Sequence, residues 1–177
     1  CDMGEIAITW QSGRDISILP LLSSINVSCG AHAGNTELIK ETVKEAITNG
    51  LKIGAHPSFP DMENFGRKAL DITLAELGVS LTEQILSLKK IVELSGGNLH
   101  HIKPHGALYN LAAKDGEISM LICEILKSID DNLILFCPPN SITYKIATEL
   151  GISVWRESFI DRVYKNDGSL VDREIEN

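Results

Sequence analysis

The sequence lacks most of the short motifs that announce a function. It has no GxGxxG and no GxxxxGK[ST] loop, so the chain shows no phosphate cradle for a nucleotide of its own. GxSxG is missing, which removes the nucleophile elbow of serine hydrolases. There is no HExxH helix, so a metal site would draw its ligands from separate segments. The four cysteines, Cys1, Cys29, Cys123 and Cys137, are scattered without a CxxC pair and read as reduced thiols of a cytoplasmic protein. No apolar run approaches the ~20 residues that span a bilayer, and no signal-like apolar segment opens the chain. Basic excess is absent too. A net charge of -8 argues against nucleic acid or an anionic membrane as partner, because both need clustered Lys and Arg.

What is present is an alternation. The 177 residues suffice for one domain with a sizeable core, and the 44% apolar and 23% charged fractions are ordinary for a globular protein. Short β-branched runs occur at 25–29, 51–56, 99–105, 132–138 and 152–159. Between them lie helical patterns. In "NTELIKETVKEAITNG", Leu38, Ile39, Thr42, Val43, Ala46 and Ile47 share one face, Asn35 or Thr36 offers the N-cap, and Gly50 closes the helix. A long pattern over 73–95 carries Leu74, Leu77, Leu81, Ile85, Leu88 and Val92, with Gly78 as a weak point or break. Two more patterns cover 115–128 and 141–150.

Strand–helix alternation implies parallel strands with right-handed crossovers, either in an open doubly wound sheet or in a (β/α) barrel. Both put chemistry at the C-terminal ends of the strands. That is where the ionisable residues fall. His32 follows the first run, His56 ends the second, Lys103 and His105 end the third, and Glu157, Asp161 and Arg162 follow the fifth. Asp2 and Glu5 in "CDMGE" would follow a strand preceding this stretch. Any one of these is as readily a cap or a packing residue; His100 and His101 read as a strand start at the opposite end. Their recurrence at one end marks a site. Gly and Pro flank the histidines in "CGAHAG", "GAHPSFPD" and "KPHG", giving sharp turns, with Ala31, Ala33 and Gly34 read as room for a substrate.

Two chemistries fit those residue types. Histidines and Asp2 from different strands suit a divalent metal, with Asp2, His32 and His56 as the ligand set. Alternatively, Asp2 or Glu5 acts as base while His and Lys103 stabilise an oxyanion. Cys29 reads as a small buried apolar residue rather than a nucleophile.

The segments "CDMGE", "INVSCGAHAGN", "IGAHPSFPDMENFGR", "HIKPHGALYN" and "ESFIDRVYKNDGSLV" occur in order, and together they resemble the LamB/YcsF family over essentially the whole chain. The resemblance implies an α/β fold, an irregular (β/α) barrel of the glycoside hydrolase/deacetylase type. Residues 1–177 would form a single barrel domain that lacks its first strand and its C-terminal (β/α) units, including an HGD motif. It also suggests an omitted loop between "VDRE" and "IEN". The implied reaction is ATP-dependent opening of 5-oxo-L-proline to L-glutamate, with ATP acting through partner subunits B and C. The implied site has Asp2, Glu5, His32, His56, Lys103 and His105 as catalytic groups, and Arg67, Tyr109, Glu157, Asp161 and Arg162 around the substrate. Homo-oligomerisation stays open. Ala31 and Asn35 depart from the family's CGFHAGD, which puts an acid-assisted role at position 35 in doubt. The alternatives are a metal-dependent deacetylase or carbohydrate hydrolase on the same fold, a link to carbohydrate metabolism that rests on fold analogy alone, and a non-catalytic interaction subunit.

Overall fold

The computed structural model describes residues 1–166, 168, 170 and 171. Six parallel strands form one sheet: β1 (Asp2–Met3), β2 (Ser24–Ser28), β3 (Lys52–His56), β4 (Leu99–Ile102), β5 (Ile134–Cys137) and β6 (Val154–Arg156). Their spatial order is their chain order. A doubly wound sheet would reverse direction at a switch point; a strand order that advances one neighbour at a time is the wall of an irregular (β/α) barrel, left unclosed among the described residues.

The helices are α1 (Ala7–Gln11), α2 (Arg14–Ile18), α3 (Thr36–Thr48), α4 (Leu74–Leu94), α5 (Gly106–Ala112), α6 (Gly116–Ile129) and α7 (Ile142–Glu149), with a 3-10 turn at Leu19–Leu21. Asn35 caps α3 by accepting from the Leu38 N–H at 2.9 Å. Thr73 and Glu76 form a reciprocal capping box on α4. The apolar stripes expected from the sequence, Leu77, Leu81, Ile85, Leu88 and Val92 on α4 and Leu38, Ile39 and Val43 on α3, pack against Ile25, Val27, Ile53, Ala55 and Ile102 of the strands. Truncating one of these buried Leu residues to Ala costs roughly 2–5 kcal/mol. Alternate strand residues take the other face, which pairs Asn26 with Ser28, Gly54 with His56, and His101 with Lys103.

Three expectations are corrected, and two short helices are added. Asp2 lies within a strand, β1, instead of downstream of one. The third run is a strand only to Ile102; Pro104 supplies no N–H, and α5 begins at Gly106. The short α1 and α2 went unpredicted. Gly78 does not break α4; a Cβ there would come 3.2 Å from Leu121 Cδ1, so the glycine brings α4 close to α6. The supposed junction after Glu174 lies outside the described residues. All four cysteines are free, and no helix among the described residues is long and apolar enough to cross a membrane.

Candidate active site

The C-terminal ends of β1, β3 and β4 and the segment after β6 open into a cleft of about 810 Å³. Asp2, Glu5, His56, Arg67, Lys103, His105, Tyr109, Glu157 and Arg162 all line it. Strand alternation explains the choice. His56 ends β3 on the face opposite the core residue Ala55, and Lys103 continues β4 past the buried Ile102.

Lys103 is 5% exposed and bridges two acids, Asp2 Oδ1 at 3.1 Å and Glu157 Oε1 at 3.0 Å. Burial opposes its charge, but Asp2 and Glu157 outweigh burial and raise its pKa. Burial likewise opposes the charge on Asp2, yet His56, Lys103 and the Asn26 amide hold its carboxyl well below the usual carboxylate range. Asp2 is therefore a fixed anion and a poor proton acceptor.

The histidines can be assigned protons from their partners. His56 Nδ1 lies 2.6 Å from the Lys103 carbonyl and His105 Nε2 lies 2.9 Å from the Phe65 carbonyl. Carbonyls only accept, so both outer nitrogens carry hydrogen. The inner nitrogens, His56 Nε2 and His105 Nδ1, then face each other at 3.0 Å. That contact requires a positive species: a proton on His56 Nε2 or a metal cation. Burial, His56 and His32 push His105 down to about 3, and His56 Nε2 lies 3.4 Å from Asp2 Oδ2, which supplies the counter-charge.

A second pair sits beside it. Ser58 Oγ donates to the Phe59 carbonyl at 2.8 Å and so accepts from His32 Nδ1 at 2.9 Å. His32 Nε2 meets Glu5 Oε1 at 3.1 Å, and one proton must lie between them. Gln84 of α4 clamps the Ser58 backbone on both sides, accepting from its N–H at 3.0 Å and donating to its carbonyl at 2.9 Å. The His32 and His105 rings stack, with centroids 3.9 Å apart and planes 3° from parallel.

Two groups of residues hold ligand atoms within 4.8 Å of one another: Asp2, His56 and His105, and Glu5, His32 and His105. The expected set of Asp2, His32 and His56 is thus divided; His105, not His32, completes the group with Asp2 and His56. Two imidazole nitrogens and a carboxylate are a donor set that suits zinc.

Other expectations resolve individually. Arg67 lies over the Phe65 ring, 5.0 Å from its centroid, at the cleft edge. Tyr109 of α5 is buried beside Glu157, and burial followed by that carboxylate raises the pKa of its hydroxyl. Arg162 lines the cleft and donates to the Val171 carbonyl at 2.6 Å. Asp161 is exposed and does not line the cleft. His32 is 1% exposed and lies behind the cleft wall, against Glu5 and His105. Gly34 does not make room for substrate: a Cβ there would collide with the Gly4 carbonyl oxygen. Asn35 is committed to its helix cap. Burial pushes the Cys29 thiol up to about 12, which disfavours the thiolate that a nucleophile needs.

Sequence reasoning missed Asn26, Ser58, Gln84 and His101. Gln84 carried a signal, a polar residue on the apolar stripe between Leu81 and Ile85. Asn26 and His101 are two positions before Ser28 and Lys103, on the same strand face.

Residues 1–177 match the model of the LamB/YcsF family. The 5-oxoprolinase A subunit of Heliobacterium modesticaldum is 39% identical over 175 residues, covering 99% of this chain and 69% of that protein. The protein of the same name from Bacillus cereus is 42% identical over 178 residues, covering 100% of this chain and 70% of that one. The crystal structure of a lactam utilization protein from Thermus thermophilus superposes with a TM-score of 0.90 at 37% identity, over 98% of this chain and 70% of that one.

Proposed function

The chain belongs to the LamB/YcsF family, and on that premise we propose that it is the A subunit of a 5-oxoprolinase, hydrolysing the lactam of 5-oxo-L-proline to L-glutamate with ATP used by partner subunits B and C. The observation that carries the reading is the convergence of one buried ammonium, two imidazoles and three carboxylates on one cleft, with a third imidazole, His32, bound to Glu5 behind it.

A lactam is a poor electrophile, so phosphorylation of its oxygen by the partner subunits would activate it. Water then adds to the ring carbon, the C–N bond breaks as nitrogen takes a proton to become the amine, and the glutamyl phosphate left behind is hydrolysed by a second water to L-glutamate and inorganic phosphate. Glu5 is the better base, since Asp2 is held as a fixed anion. The proton shared by Glu5 and His32 returns to the leaving nitrogen. Lys103, His56 and Arg67 face the developing negative charge and the phosphate. Glutamate release from 5-oxoproline, ATP and subunits B and C is the test. No release above a control lacking this chain rejects the reading. Lys103→Ala is expected to lower kcat by roughly 10²–10³-fold, and unchanged turnover removes the anion-stabilising role.

A metal-dependent hydrolase of acetylated or sugar substrates is the second reading, favoured by the grouping of Asp2, His56 and His105. Those three residues would hold the cation, which would polarise a carbonyl as a Lewis acid. ATP-independent hydrolysis together with stoichiometric zinc selects this reading over the first.

A further inference from the structure

One register layer lies beneath the cleft. Asp2 pairs with Asn26, Asn26 with Gly54, and Gly54 with His101 across four successive strands. In a barrel wall such neighbours point to the same side. Gly54 is the gap in this row. A Cβ there would overlap the His101 imidazole, so its absence lets the ring of β4 pass over β3 to reach β2. His101 Nε2 lies 2.7 Å from Asn26 Oδ1, and Asn26 Nδ2 lies 2.7 Å from Asp2 Oδ1. His101 is 0% exposed and Asn26 3% exposed, and Phe136 stacks on the His101 ring with centroids 4.2 Å apart.

Donor and acceptor chemistry gives this row a direction. The Asp2 carboxylate accepts, so the Asn26 amide nitrogen must face it and the amide oxygen must face His101. His101 Nε2 therefore carries the hydrogen, leaving Nδ1 as an acceptor. His100 Nδ1, 3.1 Å away, supplies that hydrogen. His100 Nε2 is then free to accept from Lys52 Nζ at 3.1 Å. Every donor points the same way, from an exposed lysine at the N-terminal end of β3 to the carboxylate in the cleft.

We infer that His101 and Asn26 are positioning residues for Asp2, the last links of a one-way hydrogen-bond chain Lys52–His100–His101–Asn26–Asp2 that fixes the carboxylate and, through it, the Lys103 ammonium. Its catalytic consequence rests on the lactam-hydrolase reading; its geometry does not. With Oδ1 held by Asn26 and Lys103, Oδ2 is left toward His56. Without Asn26 and His101, the carboxylate could rotate and Lys103 would lose its fixed seat between Asp2 and Glu157.

Two measurements test the chain. In ¹⁵N-histidine-labelled protein, His101 is expected as the Nε2–H tautomer and His100 as the Nδ1–H tautomer; an Nδ1–H tautomer at His101 overturns the inference. In the coupled glutamate assay, His101→Phe keeps a ring of similar shape but no donor, and is expected to lose roughly 10–100-fold in kcat with KM little changed. His101→Gln places an amide N–H near the Nε2 position and is expected to recover most of that loss. Wild-type turnover in His101→Phe, or equal losses in folded Phe and Gln variants, overturns it. If the wild-type protein releases no glutamate, the lactam reading falls while the tautomers still decide the chain.

Discussion

His56 Nε2 and His105 Nδ1 lie 3.0 Å apart although each ring already donates its other N–H to a backbone carbonyl. Two lone pairs at that distance repel, so the pair holds a cation or a proton, and Asp2 beside it supplies the counter-charge. In the proposed reaction that species is a proton. Stripping this chain with a chelator, and removing the chelator before Mg-ATP and the partner subunits are added, is therefore expected to leave glutamate release unchanged, whereas a loss reversed by zinc assigns a metal. His105→Phe removes one partner and is expected to lower kcat by roughly 10²–10⁴-fold.

His101 predicts a pH dependence of stability. Burial first, then nearby cationic groups including His100, Lys103 and His56, lower its pKa from 6.5 to about 3. The folded pKa lies below the unfolded one, so between those values the unfolded chain binds the extra proton. Stability from this residue is complete above 6.5 and is lost as pH falls toward 3, with a ceiling of about 5 kcal/mol. Urea midpoints measured from pH 7 to pH 4 should fall less steeply in His101→Phe than in the wild type. Equal slopes would mean that the buried imidazole accepts a proton without penalty.

Gly34 has φ +79° and sits against the Gly4 carbonyl, one residue from Glu5. Gly34→Ala meets both a left-handed backbone and a backbone clash. A loss of at least about 1–3 kcal/mol is expected in urea melts. Activity should fall as well, because the clash drives Glu5 away from His32. A variant that melts like the wild type would show that the two loops are not in contact.

Asn35→Asp tests a different point. The side chain caps α3, so a carboxylate there gains the helix-dipole interaction, about 0.3–1 kcal/mol. A rise in Tm of roughly 1–4 °C with unchanged kcat is expected. A large change in turnover would tie this position to the histidines instead.

Much of this was legible in the sequence. The stripes of α3 and α4 give the helices, and the recurrence of His56, Lys103, His105 and Glu157 at strand ends marks the site. The five-residue helices α1 and α2 were not legible, because so short a segment shows no helical period. Nor was the arrangement of "SCGAHAGN" visible: its second glycine admits Gly4, its asparagine caps a helix, and its histidine sits behind the cleft against Glu5.

By itself the sequence determined the alternating parallel architecture and the identity of most of the ionisable cleft residues, because side-chain period and turn chemistry are local properties. Tertiary structure decided which groups share protons, which acid is held as an anion, and why Gly54 must be bare. Those depend on register between strands distant in the chain, and a strand's own period of two cannot say which of its faces lies inside the barrel.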